Sequence, residues 1–196
     1  MKIIGLLGHQ GVGKNYISEK ILPSILNEKS TVILAFADHF KVDCICKHNL
    51  EYSKVFGKKD FETRRKLQEI GTEKGRNVYG NDIWIKTLET WINILNERGI
   101  ERFIISDVRF QNEVDWIKSL KGIVIKINAP KRYHLRISNE TNGNEIKAKE
   151  IQSHPSEMKI DEITNYDICV NNDPDDNVDL QLKSFFYKSN FSILLS

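Results

Sequence analysis

The stretch that decides the fold is residues 2–15, KIIGLLGHQGVGKN. Its first half is an aliphatic run without polar alternation, the pattern of a strand buried on both faces. Its second half sets Gly8, Gly11 and Gly13 around a turn that ends in Lys14, and NYISEKILPSILNE (15–28) follows as a helical stretch. Strand, glycine turn and helix in that order build a cradle for polyphosphate. The glycines permit unusual dihedrals, successive N–H groups converge at the positive end of a helix, and the lysine reaches the outer phosphates. The spacing satisfies G-x-x-x-x-G-K-[ST] except at its last position, where Asn15 stands in place of a hydroxyl. The Asn15 oxygen is a neutral acceptor able to face Mg2+ or a metal-bound water, and its NH2 could instead bond a phosphate oxygen or Asp107. Gly8, Gln10, Gly11, Val12, Gly13, Lys14, Asn15 and Tyr16 together are read as the ATP-binding loop.

Outward from the loop, TVILAFAD (31–38), RFIISDV (102–108) and GIVIKIN (122–128) repeat the pattern of the first strand, and YDICVNN (166–172) is a weaker fifth. Helical stretches lie between them. The first carries Pro23, which is expected to kink or break it. DFETRRKLQEIGTEKGRNVYG (60–80) and DIWIKTLETWINILNERG (82–99) form a long helical block, ended by Gly99 in the manner of a C-cap. NEVDWIKSLKG (112–122) is expected to end the same way at Gly122. Strands alternating with helices predict an α/β fold with a central parallel sheet of about five strands, flanked by helices in three layers, as one domain over 1–196. Residues 139–154, NETNGNEIKAKEIQSH, are polar without a continuous apolar face, so a lid segment over about 131–157 is expected. The apolar tail at 185–196 could pack on the core or on a partner.

A chain of 196 residues can bury a substantial core, and its 40% apolar and 29% charged content is ordinary for a globular protein. A formal charge of +2 gives no bulk argument for a nucleic-acid partner, and no apolar run is long enough to span a membrane. Cys44, Cys46 and Cys169 show no metal-ligand spacing and read as reduced thiols of a cytoplasmic protein.

A second site element is Asp107, which ends the strand FIISDV as an acid facing the loop, suited to hold Mg2+. On the acceptor side, steps of three and four bring Arg65, Gln68, Thr72 and Arg76 close to one helical face. Glutamine and threonine interleaved with arginine suit a phosphate and a base edge better than a merely solvated face.

The ordered set GHQGVGKN, FADHFK, LQEIGTEKGR, DIW, SDVRFQNEVDWI, HPSE and YDICVNN resembles the phage-type, also viral, deoxynucleoside monophosphate kinases, from residue 1 to about 172. The resemblance implies a P-loop kinase fold that moves the γ-phosphoryl group of ATP onto a deoxynucleoside monophosphate with Mg2+, in the cytoplasm, of the host if the protein is viral. It implies that Asp38 and Lys41 lie beside the acceptor nucleotide, that Gln68, Thr72 and Arg76 line its pocket, and that Trp84 stacks on or walls in the base. Arg109 is implied to reach the acceptor phosphate, with Glu113 fixing Arg109 or starting the next helix. Because charge compensation dominates phosphoryl transfer, lid arginines are expected near the transferring group, and Arg132 and Arg136 are the candidates beside Lys14. His154, Ser156 and Glu157 are read as closing the lid and capping a helix. A homodimer is a further implication of the family. Two other readings stay open: a kinase of phosphomevalonate or dephospho-coenzyme A, and a non-catalytic nucleotide-binding module.

Overall fold

The computed structural model describes residues 1–26, 31–57 and 59–188. Five parallel strands form its sheet: β1 (Lys2–Leu7), β2 (Thr31–Leu34), β3 (Arg102–Val108), β4 (Ile123–Asn128) and β5 (Ile168–Asn171). Their order is β2-β3-β1-β4-β5, so the first strand is the central one. Ile3, Ile4, Leu6 and Leu7 are all buried, as the unbroken aliphatic run requires. The edge strands β2 and β5 are shorter and only half-buried.

Alternation along β1 divides the core. Ile4 and Leu6 face α1 (residues 14–26) and α10 (Val178–Lys188), packing against Ile17, Leu22, Leu182 and Phe186. Ile3 and Leu7 face α5 (Ile83–Glu97) and α6 (Gln111–Ser119), packing against Ile85, Ile92 and Ile117. Gly5 points to that second face, where a Cβ would stand 2.5 Å from Ile117 Cδ1, so α6 rides directly on the central strand. The result is the expected three layers, helix on sheet on helix. None of the described helices is long and apolar enough to cross a membrane.

Several local expectations change. Pro23 does not break α1, because the preceding turn, Ile17–Ile21, is wound as a π-helix with Leu22 N–H donating to Ile17 O. That wider turn accommodates a ring that would clash in a regular helix. At the end of α6 it is Lys121, not Gly122, that takes the left-handed conformation (φ 57). Gly122 is needed for proximity, since a Cβ there would be 2.7 Å from Ile117 Cγ2. Gly99, in contrast, does close α5 with φ 88.

The remaining helices are α2 (Asp38–His48), α3 (Tyr52–Phe56), α4 (residues 61–79), α7 (Pro130–Thr141), α8 (Glu145–Gln152) and α9 (Pro155–Met158). The middle of α4, Glu69–Arg76, is also π-helical. The polar segment expected as a lid is thus the pair α7 and α8. Two of its apolar residues, Ile137 and Ile151, bury against Phe61 of α4 in a small core of their own, while Leu135 and Ile146 are exposed. Of the tail, Phe186 lies in the core, while residues 189–196 fall outside the described residues.

Candidate active site

The loop after β1 sits at the carboxyl end of the sheet beside the point where strand order reverses, the usual ligand position in such folds. Gly11 and Gly13 adopt φ 78 and 94, and Gly8 has φ 154. The loop is shaped from outside as well. Asn172 Nδ2, buried, donates to Val12 O at 2.7 Å, and any Cβ at Gly13 would collide with that amide. Lys14 folds back to donate from Nζ to Gly8 O at 2.5 Å and His9 O at 2.6 Å. Burial, helped by the nearby Arg109 charge, pushes its pKa well below the usual lysine range. Gln10 is 3% exposed, yet among the described residues neither its Oε1 nor its Nε2 has a hydrogen-bond partner.

Gln10, Gly11, Gly13, Lys14 and Asn15 form one end of a cleft of about 430 Å³. Its other walls carry Phe40 and Lys41 of α2, Lys59, Arg64, Gln68, Thr72 and Arg76 along α4 and its approach, Trp84, Asp107, Arg109, Phe110 and Arg136. Asp107 receives N–H donors from Phe36 at 2.8 Å and Ala37 at 3.0 Å, so this strand-end acid also fixes the turn into α2. Trp84 Nε1 donates to Gly71 O at 2.7 Å and its ring lies 5.0 Å from that of Phe40, which makes it a wall held in place from behind. Arg76 is pinned on three sides. It donates to Asn81 O at 2.8 Å, pairs with Glu113, and lies 3.8 Å over the Phe110 ring.

Glu113 links two functions. One oxygen meets Arg76, and the other accepts from Arg109 N at 2.8 Å and Phe110 N at 3.1 Å, starting α6. Burial raises its carboxyl to about 7, with the Arg76 charge opposing. Glu157 is the corresponding hub on the loop side. It pairs with Arg109 and accepts from His9 Nδ1 at 3.1 Å and Gln10 N at 3.3 Å. Burial would raise its pKa, but Arg109, the His9 hydrogen bond and Lys14 outweigh that and bring it to about 2. The His9 ring also meets Asp161 at 3.2 Å, and these two carboxylates raise its pKa against the effect of burial. Near the cleft mouth, burial and the charges of Lys41, Arg64 and Arg136 lower Lys59 to about 8.

Most of the sequence-predicted residues line this cleft; Gly8 and Val12 belong to the loop without lining it, and four others lie elsewhere. Asp38 accepts from Ala35 N at 3.0 Å and pairs with Lys41 at 3.0 Å, serving the turn instead of the cleft. Arg65 is exposed and pairs with Glu62 at 3.2 Å. Arg132 is exposed, with its Nε donating to Asn172 O and its backbone N to Asp173 at 3.1 Å, so it braces the loop after β5. Tyr16 is 56% exposed on the outer face of α1. Arg64 takes the place expected for Arg65 because the inward face of α4 runs 64, 68, 72, 76 in strict steps of four. Lys59, Phe40 and Phe110 carry no local signal that would have marked them in the sequence. The role of Glu157 is likewise not the expected one: in HPSE it is His154 that caps α9, with Nδ1 accepting from Ser156 N at 3.2 Å, while Glu157 reaches the loop.

The chain is similar in sequence to known proteins. The sequence profile of the family described as deoxynucleotide monophosphate kinase matches residues 8–174. A protein of Acanthamoeba polyphaga mimivirus, named "Putative deoxynucleotide monophosphate kinase", is 29% identical over 192 residues, covering 88% of this chain and 89% of that one. Among solved structures, dephospho-CoA kinase from Campylobacter jejuni aligns over 98% of both chains with 17% identity and a TM-score of 0.47.

Proposed function

Because the chain belongs to the deoxynucleotide monophosphate kinase family, a family of phosphotransferases, we propose that its cleft transfers the γ-phosphoryl group of ATP to the phosphate of a deoxynucleoside monophosphate. The observation that carries this reading is the mixed lining of the cleft. It is lined by the loop glycines and Lys14, by the cations Arg64, Arg109 and Arg136, and by the rings of Phe40, Trp84 and Phe110. The cations suit two phosphates, and aromatic walls suit a base. The charge of Arg76, which lies over the Phe110 ring, is already matched by Glu113, and Gln68 and Thr72 have no side-chain hydrogen bond among the described residues. That arrangement favours a nucleobase over a second anionic group.

Phosphoryl transfer needs alignment and charge compensation more than acid–base work. Lys14 exchanges its two loop carbonyls for the donor phosphates, Arg136 and Arg109 flank the transferring group, and Arg64 with Lys41 receives the acceptor phosphate. Glu113 is occupied on both oxygens and is a scaffold, not a base. Asn15 and Asp107 fit a divalent cation. Both line the cleft, and among the described residues the Asn15 amide has no hydrogen bond and each Asp107 oxygen accepts a single N–H. Mg2+ there would neutralise phosphate charge and hold the donor phosphates in line.

A coupled assay with ATP and a panel of deoxynucleoside monophosphates, run beside phosphomevalonate and dephospho-coenzyme A, tests the reading. Turnover is expected with at least one deoxynucleotide. Robust turnover of another phosphate ester, with none on any deoxynucleotide, overturns it.

A further inference from the structure

Behind the cleft wall lies an acid that no step above uses. Glu140, on α7, has a side chain only 4% exposed and does not line the cleft. It is hydrogen-bonded to Arg64 Nε from α4 and stands 3.3 Å from Arg136 Nε on its own helix, an ion-pair contact without hydrogen-bond geometry. Both contacts are to Nε, the inner edge of the guanidinium. The two terminal nitrogens of each arginine make no hydrogen bond among the described residues, and both side chains line the cleft. The Arg136 stem lies flat over the loop, so close to Gly11 that a Cβ there would collide with it.

Two arginines side by side repel, and Arg64 is deeply buried, with Arg136 and Arg109 both acting against its charge. A carboxylate hydrogen-bonded to Arg64 Nε and at ion-pair distance from Arg136 Nε offsets that repulsion and restrains both forks. We infer that Glu140 is a positioning residue, which holds one arginine from the acceptor helix and one from the lid helix as a preassembled pair aimed at phosphate. The inference rests on the phosphate-binding reading of the cleft given above. It goes beyond charge balance: an acid that merely neutralised the site would weaken anion binding, whereas one that orients the forks strengthens it.

The opposite signs make a direct test. Inorganic tripolyphosphate is titrated calorimetrically into the wild type, Glu140→Gln and Glu140→Asp, with thermal unfolding recorded for each. Although Glu140→Gln makes the site more positive, its affinity is expected to fall roughly fivefold or more, because breaking a buried pair leaves its partner unheld. Equal or tighter binding overturns the inference. Should the Gln variant not fold, Glu140→Asp decides the matter, since it keeps the charge but is too short to reach both arginines. A loss of about threefold is expected there, and wild-type affinity overturns the inference. In an Arg64→Gln, Arg136→Gln background the effect of Glu140→Gln should shrink below about twofold, and its persistence would show that Glu140 does not act through them. The titration needs no turnover, so a wild-type protein inactive on every deoxynucleotide would sink the kinase reading and leave the role of Glu140 to be decided by binding alone.

Discussion

At the scale of single residues, the loop's departure from its pattern is an amide beside an open cleft. Asn15 is exposed, and its side chain makes no hydrogen bond among the described residues, as a contact to a metal or its water would require. Asn15→Ser is expected to keep substantial turnover, while Asn15→Leu should lower Mg2+-dependent turnover by about tenfold or more in a titration of rate against Mg2+. An unchanged Mg2+ profile in the Leu variant would show that the metal is held without this residue. Glu157 makes a prediction about stability. Its folded pKa near 2 lies below its ordinary 4.5, so its contribution is complete above about pH 4.5 and disappears as pH falls toward 2. Urea unfolding of the wild type and Glu157→Gln should therefore differ by on the order of 3 kcal/mol at neutral pH, and the gap should close in acid. A gap that is independent of pH would mean that the carboxylate charge is not what matters. Such residues differ in how far the sequence reveals them. Gln68, Thr72 and Arg76 are legible because their spacing matches a helix, and the same four-step count extended backward selects Arg64 over Arg65. Asp38 is not separable by sequence from a turn-forming acid, because both sit just past a strand. The contacts of Glu157 span 147 and 148 residues, and no local pattern records them.

At the scale of elements, α4 shows what periodicity leaves out. Its existence and inward face are readable, but the π-helical winding over Glu69–Arg76 is not. Local propensity barely distinguishes the two windings, whereas packing does. Gly71 and Gly75 turn bare backbone toward Phe40 and Trp84, and a Cβ at Gly75 would collide with Trp84 Cζ2 and stand 3.0 Å from Ile70 O. Gly75→Ala should consequently destabilise the fold by roughly 1–3 kcal/mol despite its better helix propensity. It should also raise the deoxynucleotide KM more than that for ATP. A stabilised variant in thermal unfolding would show that the close approach is not required. The pair α7 and α8 is hard to read for a related reason: its buried apolar residues are too few for a visible stripe, and two of them, Ile137 and Ile151, meet Phe61 from a distant helix.

At the scale of the whole molecule, alternation of strand and helix is enough for the layers, because buried parallel strands leave long aliphatic runs. Sheet order is not legible in the same way. Nothing in the runs says that β1 lies between β3 and β4, an arrangement that depends on the crossovers and on the flat contact of Gly5 with α6. That order gathers the loop, the end of β3 and the approach to α4 around one cleft, so donor and acceptor should be bound as a unit. An analogue joining adenosine through a polyphosphate to a deoxynucleoside should stabilise the protein by about 2.7 kcal/mol at a hundred times its Kd. At equal concentration either half alone should raise Tm less. Equal shifts from one half and the whole would place the second half outside the cleft.

The bond from Asn172 to Val12 has a consequence for the protein's synthesis. The loop receives its final shape from a side chain 160 positions later in the chain, after β5 has docked on β4. Chains emerge from the ribosome from the N-terminus onward and fold as units. A growing chain thus displays the glycine motif long before it owns a rigid cradle. Nucleotide affinity should arrive abruptly, only once β5 has docked on β4 and brought Asn172 to the loop.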